Sequence, residues 1–163
     1  MKVTPIGIIH SPHQHADGTP IQAALAAGVE GTVEVFEEFA AGLKDLAGFD
    51  RIWLVYWFDR AGPAQLVVTP YLDTTPRGLF ATRAPARPNP IGFSPVRLLG
   101  ITGRCLRVAD LDVLDNTPLL DIKPYVPRFD RFDVTRCGWL DAASAKDCLA
   151  DDRFEARPKR KEK

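Results

Sequence analysis

Residues 51–58 read RIWLVYWF, an eight-residue run whose one charge stands at its start. A run this short and this apolar predicts a strand buried on both faces, because helices of this length rarely stay apolar all round. We expect its aromatic side chains in the core rather than on a platform for stacking a base: Trp53, Tyr56, Trp57 and Phe58.

Strand-like segments recur on both sides of this run. They lie at 6–9, 31–36, 64–70, 78–82, 95–101, 104–114 and 132–140, and apolar residues at helical spacing predict one short helix at 37–47. Six or seven strands, one helix and fourteen prolines predict a mainly β fold, a single compact β-barrel-like domain with a short helix. No glycine-rich phosphate loop follows a strand, so a Rossmann-type dinucleotide fold is not expected.

Composition narrows the class of protein. A chain of 163 residues that is 45% hydrophobic is long enough to bury one core. The 21 basic and 21 acidic side chains cancel, so no overall field favours nucleic acid or an anionic membrane. The start, MKVTPIGIIHSP, fits neither a signal peptide nor a membrane span. A cytoplasmic protein with reduced cysteines and no membrane partner is expected.

Two common kinds of catalytic site are disfavoured. There is no G-x-S-x-G nucleophile motif, and the histidines cluster near the N-terminus, away from any evident nucleophile. His10, His13 and His15 are spaced as metal ligands can be, but no Cys, Asp or Glu joins them before Asp17. Zinc favours a fuller ligand set, so we predict a polar loop and no metal.

The segment 78–95, GLFATRAPARPNPIGFSP, is stiffened by proline. Pro88 and Pro90 hold the chain around them extended. In an extended chain Arg83, Arg87 and Asn89 project to one side and form a cationic surface suited to a carboxylate, a phosphate or a base edge. The alternative is a rigid solvent loop whose arginines pair with acidic neighbours.

Three further groups of polar residues follow strands. Asp59 and Arg60 end the apolar run, either at the core's edge or at the mouth of a barrel pocket. The residues 115–118, DNTP, have a turn composition. Asp121 and Lys123 are expected on one face of a strand, where a buried pair is costly unless it serves a ligand such as a ribose diol or an anion.

Four stretches together resemble the TsaA-like (TrmO) family: PIGIIHSP at 5–12, GFDRIWLVYWFDRA at 48–61, GLFATRAPARPNPIGFSPVRLL at 78–99 and LDNTPLLDIKPYVP at 114–127. The resemblance runs from about Val3 to Trp139. It implies a compact β-barrel methyltransferase that binds S-adenosylmethionine and forms a homodimer with sites near the interface. In its tRNA-modifying members, N6-threonylcarbamoyladenosine beside the anticodon is methylated at N6.

The resemblance also implies site residues. Cofactor contacts are expected from Pro20, Gln22, Asp59, Arg60, Arg83, Phe93, Asp115, Asn116 and Thr117. Substrate or motif-core roles are expected for Arg87, Asn89 and Lys123. The acceptor nitrogen must lose a proton, for which Asp121 or Asp59 is the expected catalytic group.

The chain departs from many bacterial relatives at two of these places. It has Pro20-Ile21-Gln22 where they have Pro-Arg-Gln, and Asp59 where they have histidine; they also carry an additional C-terminal domain. We divide the chain into a barrel domain, 1–140, and an extension, 141–163, that ends in a flexible basic tail able to contact phosphates.

Three functions remain open at this stage. The first is a methyltransferase acting on tRNA or on a smaller substrate. The second is a module that senses S-adenosylmethionine without catalysis. The third is a small barrel whose arginines are only structural.

Overall fold

Six antiparallel strands close into a barrel in the computed structural model, which describes residues 2–143 and 149–156. The strands of the chain are β1 (Gly7–His10), β2 (Glu30–Val35), β3 (Arg51–Trp57), β4 (Val67–Val68), β5 (Arg77–Gly78), β6 (Ile91–Thr102), β7 (Cys105–Ala109) and β8 (Thr117–Pro124). The barrel order is β1-β2-β7-β6-β3-β8, closed by pairing of β8 with β1, while β4 and β5 form a separate two-stranded sheet. The prediction of a mainly β barrel is confirmed.

The helices are short. One α-helical turn spans Pro127–Asp130, and the 3-10 turns are Ala23–Leu25, Glu37–Leu43, Leu46–Gly48, Leu79–Ala81, Gly138–Ala142 and Asp152–Phe154. None of the helices in the described part is long and apolar enough to cross a membrane.

Strand β3 shows how the barrel sorts side chains. Ile52, Leu54 and Tyr56 are buried inside, whereas the alternate residues are half-buried on the outer face. The prediction of burial on both faces is therefore wrong, because each barrel strand has only one inward face. Trp53 and Trp57 lie outside the core; the Trp53 ring centroid is 5.5 Å from that of Phe93. Phe58, beyond the strand, is partly buried and packs against the core.

The core is filled by branched aliphatic side chains from the inward positions of all six barrel strands. Its fully buried members are Ile9, Val33, Val35, Ile52, Leu54, Val96, Leu106, Val108 and Leu119 on the strands and Leu111 after β7. A second, smaller cluster lies outside the barrel, under the proline-rich loop 82–93, and comprises Val68, Leu79, Ala84, Ala86 and Phe154. We call it the satellite cluster.

Several predicted elements differ in the structure. The strand predicted at 64–70 is only Val67–Val68, and the one predicted at 104–114 ends at Ala109. The helix predicted at 37–47 is two 3-10 turns separated at Asp45, whose φ of 66° is left-handed. Of the strand predicted at 78–82, only Gly78 pairs in a ladder. The segment 132–140 forms no strand and ends in the 3-10 turn Gly138–Ala142. The segment 132–140 has no strand partner because the barrel is closed: β8, the strand before it, already pairs with both β1 and β3 and leaves no edge for another strand.

The described part of the C-terminal extension packs against the barrel. Leu149 bridges to Pro20 and Glu155 to Ala61, and Phe154 is 5% exposed in the satellite cluster. The boundary at residue 140 stays a prediction. The predicted flexible tail, 157–163, lies outside the described residues.

Candidate functional site

A cavity of about 470 Å³ opens at one end of the barrel, within the range of roughly 300–1,000 Å³ typical of small-molecule sites. Five segments and Tyr71 line it; the segments are the loop 16–22, the end of β3 with residues 58–61, the proline-rich loop 82–93, residues 112–117 and the C-terminal segment 150–155. Tertiary structure therefore brings together residues from most of the chain.

Nine of the predicted site residues line this cavity. They are Pro20, Gln22, Asp59, Arg60, Arg83, Arg87, Asn89, Phe93 and Thr117. The proline-rich loop thus faces a concave site rather than bulk solvent.

Four predicted site residues do not line it: Asp115, Asn116, Asp121 and Lys123. Asp115 lies behind the wall, where its carboxylate accepts hydrogen bonds from the Ser11 amide at 3.1 Å and from Asn116 Nδ2 at 2.7 Å. Asn116 has a φ of 59°. These two side chains therefore stabilise the turn, as the DNTP composition indicated.

Asp121 and Lys123 form an ion pair at 2.7 Å on the outside of β8. Their side chains are 44% and 64% exposed, so the expectation of a buried pair is wrong. Asp121 pairs across the sheet with the outward residue Val55, which is why it does not reach the cavity. Among the described residues, the Asp121 carboxylate pairs with Lys123 and accepts a hydrogen bond from the Ile122 amide at 2.9 Å, and its role as a proton acceptor stays a prediction.

The two arginines of the proline-rich loop have different surroundings. Arg87 Nη1 donates to the carbonyls of Thr82 at 3.0 Å and Ala84 at 3.2 Å, and so braces the loop. Arg83 donates to the side-chain carbonyl of Gln22 and lies 5.3 Å from the Phe93 ring centroid. Within the described residues neither arginine pairs with a carboxylate. Acidic neighbours therefore do not explain them.

The Arg60 guanidinium is held by two hydrogen bonds from one of its nitrogens, Nη2. Its Nη2 donates to the Asp115 carbonyl at 2.7 Å and to Thr117 Oγ1 at 2.9 Å. Its Nε is buried and has no hydrogen-bond partner, while Asp59 Oδ1 is 3.5 Å away, beyond a good hydrogen bond. A buried N–H without an acceptor lowers the stability of the fold, so a bound group that accepts a hydrogen bond from Nε would be favoured.

Sequence reasoning missed a polar cluster at the cavity, which we call the floor cluster: Tyr56 and Asp112, which line the cavity, and the buried Ser94 beside them. Tyr56 Oη lies 3.0 Å from Ser94 Oγ, and Asp112 Oδ1 is buried without a partner. Burial raises the pKa of Asp112, which hydrogen bonding from Ser94 opposes. Burial, and then the charge of Asp112, raise the pKa of Tyr56 far above its ordinary value, so its phenol stays protonated.

One signal in the sequence could have found Asp112. It stands in the segment 111–114, LDVL, between Leu111 and Val113, both of which are buried. An acid flanked by core residues is unusual enough to mark a site.

The C-terminal segment forms a wall of the cavity through Ala150, Phe154 and Glu155. The Gly62 amide donates to the Phe154 carbonyl at 2.8 Å, and the Ala156 amide to the Arg60 carbonyl at 2.9 Å. Glu155 Oε1 accepts from the Ala16 amide at 3.0 Å. Sequence patterns placed this segment outside the barrel domain, because its partners lie about a hundred residues away in the chain.

Comparisons with known proteins agree with this architecture. Residues 8–131 match the family model for the tRNA-methyltransferase O N-terminal domain. A protein of Pyrococcus abyssi (strain GE5 / Orsay), described as a "Probable S-adenosyl-L-methionine-binding protein", is 58% identical over 137 residues, which cover 84% of this chain and 74% of the relative. The tRNA (adenine(37)-N6)-methyltransferase of Escherichia coli (strain K12) is 31% identical over 150 residues, 86% of this chain and 64% of the enzyme.

A crystal structure of TrmO from Pseudomonas aeruginosa superposes with a TM-score of 0.72 at 38% identity, covering 86% of this chain and 62% of that one. This chain therefore spans less than two thirds of the length of the E. coli enzyme and of the P. aeruginosa protein. The family model covers most of the chain, and the barrel matches solved members, so the chain belongs to the tRNA-methyltransferase O family.

Proposed function

We propose that the cavity binds S-adenosylmethionine and that the protein transfers its methyl group to N6 of N6-threonylcarbamoyladenosine in tRNA, near the anticodon. Membership of the tRNA-methyltransferase O family, with an E. coli relative named a tRNA (adenine(37)-N6)-methyltransferase, supports the reaction class. The observation that carries the proposal is the collection of nine motif residues around one cavity.

The residues present fit the chemical groups of the cofactor. S-adenosylmethionine has a carboxylate, an ammonium, a sulfonium, a ribose diol and an adenine. Arg60, with its unpartnered Nε, and Arg83 suit the carboxylate. The acids Asp59 and Asp112 suit cationic and hydroxyl groups, and the apolar surfaces of Phe58, Ile91 and Phe93 suit the adenine.

The cofactor supplies an activated methyl group, and the residues of the chain supply position. Methyl transfer requires the nucleophile, the methyl carbon and the leaving sulfur in line, so the proline-stiffened loop contributes by holding Arg83 and Arg87 in fixed places. The Asp59 carboxylate lies at the cavity with its side chain 39% exposed. It is the group we propose to accept the proton of the acceptor nitrogen.

The mouth of the cavity is where a macromolecular substrate would enter. Arg87 and Asn89 line the cavity, and Phe80 beside them is 81% exposed, with the Arg87 guanidinium 6.0 Å from its ring centroid. Exposed aromatic and cationic groups suit base stacking and phosphate contact. Lys123 lies on another face, and its role as a substrate or motif-core residue stays a prediction. A homodimer in the cytoplasm, with its interface near this mouth, is part of the proposal.

A second candidate is binding of S-adenosylmethionine without transfer, or with transfer to another small substrate. The observation in its favour is the name of the 58% identical archaeal relative, which specifies binding alone.

The test is methyl transfer. Purified protein is incubated with S-adenosylmethionine and tRNA from a strain lacking this modification, and the digested nucleosides are analysed by mass spectrometry. A methyl gain on N6-threonylcarbamoyladenosine is expected, with loss of the gain in Asp59→Asn. No gain on any nucleoside, with cofactor binding intact in the same preparation, would contradict the tRNA reaction and favour the second candidate.

A further inference from the structure

We propose that Phe80 stacks on the RNA base next to the acceptor and takes the place that the acceptor nucleotide leaves when it enters the cavity. This inference rests on the proposed function in one respect, that the acceptor is a nucleotide within an RNA chain rather than a free small molecule. It adds a substrate contact outside the cavity, and it depends neither on the identity of the proton acceptor nor on the position of any cofactor atom.

The 3-10 turn that carries Phe80 is held on both sides. Before it, the Leu79 amide donates to the Leu66 carbonyl at 2.9 Å, and the Leu79 side chain is 1% exposed in the satellite cluster. After it, Trp139 Nε1 donates to the Ala81 carbonyl at 2.7 Å. The backbone of the turn is therefore fixed, and the side chain at its centre leaves the protein from a defined place.

The Phe80 ring projects into solvent beside a fixed cation. Its side chain is 81% exposed, and a single exposed apolar residue is ordinary on a protein surface, so its neighbour is what distinguishes it. The Arg87 guanidinium lies 6.0 Å from the ring centroid and is braced by the carbonyls of Thr82 and Ala84. Within the described ranges Arg87 forms no ion pair with a carboxylate. The turn thus presents an aromatic face and a positive charge side by side.

This pair of groups stands next to the cavity but outside it. Arg87 and Thr82 line the cavity, whereas Phe80, two residues before Thr82 in the chain, is not among the lining residues. The ring therefore lies where the nucleotide that adjoins the acceptor would come to rest once the acceptor base is inside.

Methylation of a base in an RNA loop has a cost that such a ring reduces. The acceptor nitrogen must come into line with the methyl carbon and the sulfur, so the base must leave its stack to enter the cavity. One face of the neighbouring base is then uncovered. An aromatic side chain covers that face whatever the base, because every base has a π face, and a guanidinium suits the phosphate that joins the two nucleotides. Phe80 therefore lowers the free energy of extruding the acceptor.

The first experiment measures methyl transfer by the intact protein to an anticodon stem-loop RNA that carries N6-threonylcarbamoyladenosine. Phe80→Ala is expected to lower kcat/KM about 5- to 150-fold, the range of one base–aromatic stack. The affinity for S-adenosylmethionine, measured by calorimetry, is expected to stay unchanged because Phe80 does not line the cavity. Phe132→Ala removes another exposed ring, 77% exposed, and is the matched control that should react like the wild-type protein.

Two conservative variants separate stacking from general apolar contact. Phe80→Trp keeps an aromatic face and is expected to retain the wild-type rate. Phe80→Leu keeps apolar bulk without that face and is expected to lose most of the rate that Phe80→Ala loses.

The second experiment locates the contact without requiring methyl transfer. The same stem-loop carries iodouridine on one side of the acceptor or the other, the complex is irradiated, and the cross-linked peptides are identified by mass spectrometry. A cross-link to Phe80 is expected from one of the two positions, and it also decides the question if a variant does not fold.

Four outcomes would overturn the proposal: a wild-type rate in Phe80→Ala, a wild-type rate in Phe80→Leu, cross-links that map away from the turn 79–81, or an equal loss of cofactor affinity in Phe80→Ala. A wild-type dimer that Phe80→Ala dissociates in sedimentation would also overturn it, because the ring would then serve contact between protein copies.

Failure of this proposal is distinguishable from failure of the proposed function. RNA that cross-links at Phe80 without a methyl gain contradicts the tRNA reaction and leaves the stacking contact standing. A methyl gain that is equal in the wild-type protein and Phe80→Ala contradicts the stacking contact alone. A wild-type protein that binds S-adenosylmethionine but neither methylates nor cross-links the RNA would overturn both.

Discussion

The substitution Phe154→Ala tests whether the C-terminal segment is a structural wall of the cavity. Phe154 is 5% exposed and packs in the satellite cluster, with its ring centroid 5.3 Å from that of Tyr71 in an edge-on arrangement. The carbonyl of the same residue accepts a hydrogen bond from the Gly62 amide, and Gly62 directly follows the cavity-lining residues 58–61. Removing the ring therefore removes the side-chain anchor of the segment.

The magnitude follows from the burial. Replacing a buried phenylalanine by alanine costs about 3–5 kcal/mol, of which an edge-on aromatic pair accounts for about 0.5–1.5 kcal/mol. The satellite cluster is separate from the barrel core, so we expect most of this cost as local release of residues 149–156. Cofactor affinity then falls in proportion to the fraction of molecules in which the segment is docked.

Three measurements on one variant separate local release from global unfolding. Urea unfolding monitored by tryptophan fluorescence measures the stability of the barrel, and calorimetry measures cofactor affinity. Amide hydrogen exchange measures whether residues 149–156 are docked. The Gly62 amide, and the Gly18 amide that donates to Ala150 at 3.0 Å, are expected to lose protection before the barrel amides do. Phe132→Ala, at a position 77% exposed, is the control and should change stability by less than about 0.5 kcal/mol.

The reasoning is refuted if Phe154→Ala lowers stability while the Gly62 and Gly18 amides keep their protection and cofactor affinity is unchanged. That result would mean that residues 149–156 dock without Phe154 or contribute nothing to the cavity.

Three further predictions follow from the same structure. Gly92→Ala would place a Cβ 2.6 Å from Cζ of the buried Tyr56 ring and is expected to cost about 1–3 kcal/mol in urea unfolding, whereas Gly100→Ala, with open space around it, should be nearly neutral. Hydrogen bonds from two arginines and an amide outweigh burial and lower the pKa of Asp110 to about 2. Its stabilisation, about 1–2 kcal/mol after solvent screening, is present above about pH 4 and is lost as the pH falls toward 2, and acid titration of Asp110→Asn should lack that loss. Arg83→Ala, at an exposed position, should weaken cofactor binding by calorimetry with a stability change under about 0.5 kcal/mol, and the reverse pattern would favour purely structural arginines.

The sequence motifs predicted which residues belong to the site better than they predicted which way those residues face and what they contact. Arg83, Arg87 and Asn89 follow from proline-restricted backbone, which is a local property, and all three line the cavity. Asp121 was misplaced because a strand's period of two says which residues share a face but not which face looks inward. Asp112 was missed because its significance lies in the partners it lacks, and partners are set by packing.

By itself the sequence determined the mainly β class, the apolar strand β3 and the stiffened loop, because alternation and proline geometry act over a few residues. Only the tertiary structure decided that β8 closes the barrel against β1 and β3, that 132–140 is left without a strand partner, and that the C-terminal segment returns to the cavity wall. These features depend on register and closure between residues about a hundred positions apart, which no local pattern encodes.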